Sequence, residues 1–161
     1  MGSRASIAKH PIHPMLVTFP IGLWVFSLIS DIIFRAGGQP IWADMALYTM
    51  AGGIIGALLA AIPGFIDLLA ISDAKARRTG IWHMVINLTV VILFVLSFYM
   101  RLPQGRGNNP AFVLSIIAIG LLLVSGWLGG RLVYVLGVGV EPHPDTRIRH
   151  DAGPGTPSPA I

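Results

Sequence analysis

Five positions in this 161-residue chain have the types and spacing to do chemistry. His10-Pro11-Ile12-His13-Pro14 carries two imidazoles, each followed by proline. Proline disfavours helical geometry in the residue before it. Both histidines therefore read as extended, and in polyproline II their rings share a face with backbones about 9 Å apart. One ring could ligate while the other hydrogen-bonds, or the segment is a rigid lead into a helix. His83 and Asn87 are four residues apart, on one helical face. Either Asn87 or a carbonyl satisfies a structural histidine, or His83 is a metal or haem ligand. Asp67 closes Pro63-Gly64-Phe65-Ile66-Asp67, where Pro63 frees the carbonyl of Leu59 and bends its helix. Its carboxylate reads as orienting a histidine on a neighbouring helix, or as pairing with Arg131. Other chemistries lack parts. With no cysteine there is no disulfide, thiolate nucleophile or iron–sulfur cluster. No nucleophile elbow, phosphate loop or dinucleotide fingerprint occurs. Glu141 is the only glutamate, so a His-Glu-x-x-His zinc site is excluded. No catalytic set is readable, and whether the chain is an enzyme stays open.

The elements that must carry these residues are membrane spans. The chain is 54% hydrophobic and 11% charged, against roughly 25% charged in soluble domains. Four apolar runs, about 15–35, 44–71, 81–101 and 111–136, each reach the roughly 20 residues that cross a bilayer. The expected fold is all-α, a polytopic four-transmembrane-helix bundle over residues 8–142, with a proline-rich disordered tail at 143–161. Breakers fall between the runs, at Gly37-Gly38-Gln39-Pro40, at Ser72 to Gly80 and at Pro103 to Pro110. Eight lysines and arginines (Arg4, Lys9, Lys75, Arg77, Arg78, Arg131, Arg147, Arg149) fall on one side, and three (Arg35, Arg101, Arg106) on the other. Positive residues favour the cytoplasm, so both termini are predicted cytoplasmic. On that side His10, His13, Asp67, His83, Asn87 and Arg131 then lie at similar depth. Ionisable groups inside a membrane are expensive, and their convergence marks a candidate site. At the other side, Asp31 and Arg35 are four apart and read as a helix-surface pair. Small residues every four positions, Gly52, Gly56, Ala60 and Gly64 and then Gly126 and Gly130, mark expected helix seams. The net charge of +4 is thinly spread and no basic stripe interleaves with aromatics, which excludes a nucleic-acid partner.

These motifs resemble a known family. His10-Pro11-Ile12-His13-Pro14 through Phe19-Pro20-Ile21-Gly22 to Asp31 is similar to the bacterial membrane family called domain of unknown function 2231. So are Pro63 to Asp67, His83 with Asn87, and Ser125 to Gly130 running on to Tyr134 and Val140. The resemblance covers residues 8 to 142 and implies a four-span bacterial inner-membrane protein. It also implies, in many members, an acidic residue where this chain has Arg131 and a histidine where it has Leu136.

Three functions fit. The first is a redox-associated protein holding a b-type haem through His83 and His13 or His10, with Asn87 and Arg131 beside it. A membrane or cytoplasmic redox partner would follow. The second is a divalent-metal site of His10, His13, His83 and Asp67. The third is a cofactor-free structural or anchoring subunit. The bilayer is the one firm partner, and a homo-oligomer is left open.

Overall fold

The computed structural model describes residues 2–8, 10–104 and 107–140. The expected tail and its histidines, His143 and His150, lie outside them. A short antiparallel hairpin opens the chain, β1 (Ser6–Ile7) and β2 (His10–Pro11), with Ser6 opposite Pro11 and Ile7 opposite His10. Ala8 takes a positive φ of 50° in its turn. Five helices follow among the described residues: α1 (Ile12–Leu16), α2 (Thr18–Arg35), α3 (Ile41–Leu69), α4 (Ala74–Gln104) and α5 (Asn109–Tyr134). With α1 and α2 taken as one segment, four helices among the described residues are long and apolar enough to cross a membrane.

Each boundary has a local cause. Gly37, at φ 95°, turns the chain out of α2, and Gly38 N–H closes onto Ile33 O at 2.9 Å. Pro40 then opens α3. Asp73 caps α4, accepting the Ala76 N–H at 2.7 Å. Asn108 caps α5 through the Ala111 N–H at 3.1 Å, with Pro110 in the first turn. The Asp73 cap corrects the expected loop from Ser72 to Gly80: Lys75, Arg77 and Arg78 are helical, and α4 begins seven residues before Ile81. The polyproline reading is corrected too. Extended backbone ends at Pro11 (φ −62°, ψ 127°), and His13 is already in α1.

Helix α2 packs on α3 and α4 on α5, and α1 lies on α3. The two hairpins join around Trp24, Met50, Val90, Phe94, Ala118 and Leu122. Trp24 stacks on Phe94 with centroids 4.4 Å apart, and its Nε1–H donates to Met50 O at 3.3 Å. The outer faces expose large apolar side chains on every span, as contact with lipid requires. The seam on α3 is inside the bundle, as expected: Gly52 faces Leu23, Gly56 faces Pro20 and Gly64 faces His13. On α5 the expected seam is displaced. Gly126 faces open space, and Gly129 is the residue against α4.

Polar groups gather at the two ends of this dry layer. His83 and Arg101, both on α4, are 18 residues apart, roughly 27 Å along a helix. That is close to the hydrocarbon thickness of a bilayer, about 30 Å. The bundle thus keeps ionisable groups near both hydrocarbon boundaries and its middle apolar.

Candidate functional site

Two histidines from different hairpins meet at the end that carries the N-terminus. Helix α1 brings His13 onto α3, where its Nδ1–H donates to the Ala60 carbonyl at 2.8 Å. The ring lies against Gly64, where any Cβ would come within 2.7 Å of Nδ1. Glycine is therefore required there for the ring to reach the α3 backbone. Helix α4 brings His83 onto α5, where its Nδ1–H donates to the Ser125 carbonyl at 2.9 Å. Gly129 backs this second ring, with a Cβ position 3.2 Å from Cε1. The two imidazoles stand perpendicular, their centroids 6.2 Å apart.

Asn87 completes the cluster. Its Nδ2 donates to Ser125 Oγ at 2.6 Å and to His83 O at 2.9 Å, and lies 3.1 Å from His83 Nε2. Ser125 is buried, and its Oγ lies 3.0 Å from His83 Nδ1. A carbonyl can only accept, so each Nδ1 carries the proton in the neutral ring and each Nε2 keeps its lone pair. The tautomer of both rings is thereby set by backbone, the arrangement that metal-ligating histidines commonly use.

The other expected site residues are placed elsewhere. His10 is exposed in β2, its Nδ1 bonded to Ala8 O at 2.9 Å. Asp67 orients no histidine and does not pair with Arg131. Both its oxygens accept from Ser3 Oγ at 2.8 Å, and Oδ1 also accepts the Ala5 N–H at 3.0 Å. Its carboxylate pins the N-terminal segment over the end of α3. Arg131 is exposed on α5, in a groove against α4. Among the described residues no three His, Asp or Glu side chains are grouped as a metal-binding set, so the proposed quartet of His10, His13, His83 and Asp67 is not assembled. His13, His83 and Asn87 are brought together.

Sequence reasoning missed Ser125 and the Ala60 carbonyl. The signal for Ser125 was a small polar residue four before Gly129 in a span that is mostly apolar. The carbonyl leaves no trace in side-chain types. Also missed was the buried centre at the opposite end, where Arg101 reaches Asp31, Ser97 and Ser115. The expected Asp31–Arg35 pair gives way to it. Arg35 instead donates to Asn109 Oδ1 at 2.5 Å and to the carbonyls of Gly107 and Asn108, with its guanidinium 4.1 Å from the Phe112 ring centre.

The family described as predicted membrane protein (DUF2231) matches residues 9–142. No curated protein matches, and no solved structure does.

Proposed function

The chain belongs to the DUF2231 family of predicted membrane proteins, and from that premise we propose that it holds a transition-metal centre between His13 and His83. One observation carries this reading: two imidazoles on separate hairpins, 6.2 Å apart, each with Nδ1 committed to a backbone carbonyl. Two metal–nitrogen bonds of about 2.0–2.1 Å plus two ring radii come to roughly 6 Å, so the spacing suits one ion between the rings. Imidazole donors suit zinc, copper, iron or nickel. Nε2 of His83 would be open to an ion only with Asn87, whose amide now lies 3.1 Å from it, turned aside.

A b-type haem is the second reading, and His13 and His83 are the residues that would hold its iron. A macrocycle demands far more room than an ion, and Asn87 and Ser125 crowd the His83 side. That places the bare ion first. Transport is disfavoured, because the layer of Trp24, Met50, Val90, Phe94, Ala118 and Leu122 separates the two polar ends.

In this reading the histidine end faces the cytoplasm of a bacterial inner membrane. Arg4, Lys75, Arg77, Arg78 and Arg131 are all exposed at that end. At the other, Arg101 is buried against Asp31. A C-terminal tag reporting from the periplasm would overturn the orientation.

The test of the centre is metal analysis and a visible spectrum on the same detergent-purified sample. Metal near one equivalent, lost in His13→Ala and His83→Ala and kept in His10→Ala, supports the ion. A Soret band with the same dependence selects haem. A colourless, metal-free protein that takes up none of these four ions leaves the histidines as a structural pin and ends the proposal.

A further inference from the structure

A second feature lies on the outside of the same end. The first turns of α4 and the last turns of α5 flank an open groove of about 410 Å³. Lys75, Arg78, Trp82 and Ile86 line it from α4, and Leu128 and Arg131 from α5. On α4 these positions follow at intervals of three or four residues and form one stripe. The stripe is ordered. Its cations come first, at the end of the span, and its apolar residues follow toward the bilayer middle. Lys75 to Ile86 covers roughly 16 Å of helix, enough to run from the headgroup layer into the hydrocarbon. Trp82 lies between the two zones, 56% exposed, where indole rings favour the interface. Lys75, Arg78 and Arg131 are all exposed, and among the described residues no acidic side chain engages them.

We propose that this groove binds an anionic phospholipid of the surrounding leaflet, its phosphate against Lys75, Arg78 and Arg131 and its upper acyl chain against Trp82, Ile86 and Leu128. Charge complementarity selects an anion. The apolar continuation below the cations selects a lipid over a soluble anion, because only a lipid meets both halves of the same groove. Basic pockets between helices at the cytoplasmic surface suit such headgroups. The site is independent of any metal at His13 and His83.

The test is electron spin resonance of the full chain in nanodiscs with chain-labelled phosphatidylglycerol or phosphatidylcholine. Phosphatidylglycerol is expected to be retained about a hundredfold more strongly at low salt, with each of the three cations lost lowering the preference about fivefold. Arg78→Gln and Arg131→Gln should each show this loss. Arg77→Gln, an exposed cation outside the groove, should not. Leu128→Trp keeps every charge and fills the apolar wall, and it should abolish the preference altogether. Should Arg131→Gln fail to fold, Lys75→Gln and Arg78→Gln read the same site from the other helix. Equal retention of the two lipids overturns the proposal. So does an Arg77→Gln loss as large as that of Arg78→Gln. Displacement of the label by millimolar inorganic phosphate would overturn it in favour of a soluble-anion site.

Discussion

Asp31 and Arg101 form a two-pronged ion pair, with both N–O contacts at 2.6 Å and side chains 1% and 0% exposed. The pair ties α2 to α4. Ser97 and Ser115 extend it to α5, since Arg101 Nη2 reaches Ser115 Oγ at 3.3 Å and Ser97 Oγ bonds Ala111 O at 2.7 Å. Removing one partner leaves the other charge buried, which costs about 3–5 kcal/mol. Asp31→Asn and Arg101→Met should each lower stability by that order, read as the unfolding midpoint in detergent. The double variant Asp31→Leu/Arg101→Met should be milder than either single, because no lone charge remains. A double variant as damaged as the sum of the singles would assign the loss to packing instead.

That pair marks the limit of what the residues alone disclose. Four spans were legible because bilayer thickness fixes their length and composition. The convergence of His13, His83 and Asn87 was legible once the spans were oriented. Asp31 was assigned to Arg35 because helical neighbours four apart are the pairing a linear reading sees. The better signal was on α2 itself: Pro20, Trp24, Ser27 and Asp31 fall on one face, and all are buried. Asp31 therefore points inward, and its partner had to come from another helix. Asp67 misled for the opposite reason. Its partners are Ser3 and the Ala5 backbone, more than sixty residues earlier in the chain. No periodicity reports a segment folding back over a helix end.

The glycines of α3 and α5 separate close packing from mere smallness. A Cβ at Gly53 would run into the Trp24 indole, while one at Gly126 meets nothing within 4 Å. Gly53→Ala should therefore destabilise by about 1–3 kcal/mol, the usual range for an overfilled core. Gly126→Ala should be neutral or slightly stabilising, since alanine is the better helix former. Melting midpoints of the two proteins in one detergent decide it. Equal midpoints would mean that Trp24 is free to move.

Asp67 should act as a latch for the N-terminal segment. Hydrogen bonds to a charged acceptor contribute about 1.5–3 kcal/mol. Asp67→Ala should therefore speed amide exchange by tenfold or more at residues 3–8, 10 and 12, Ala5 N–H above all. Amides near Trp24 and Phe94 should keep their protection, because the core is built from other contacts. Protection lost throughout the bundle would make Asp67 a determinant of the whole fold.

The histidine tautomers give a test that needs no metal. The carbonyls of Ala60 and Ser125 accept only, so the neutral rings of His13 and His83 must both carry hydrogen on Nδ1. Nitrogen-15 spectra of histidine-labelled protein should show protonated Nδ1 and unprotonated Nε2 for His13 and His83, each assigned by its His→Ala variant and told apart from exposed His10, whose Nδ1 also bonds a carbonyl, that of Ala8. Gly64→Ala should change only one of them. Its Cβ would lie 2.7 Å from His13 Nδ1 and 2.8 Å from Cε1, so the ring must leave Ala60. Gly129→Ala meets His83 at 3.2 Å, a contact that a small shift relieves, and its spectrum should stay near wild type. If His13 keeps the Nδ1–H form in Gly64→Ala, the Ala60 carbonyl is not what sets its tautomer. The preset lone pair on which the proposed centre depends would then need another source.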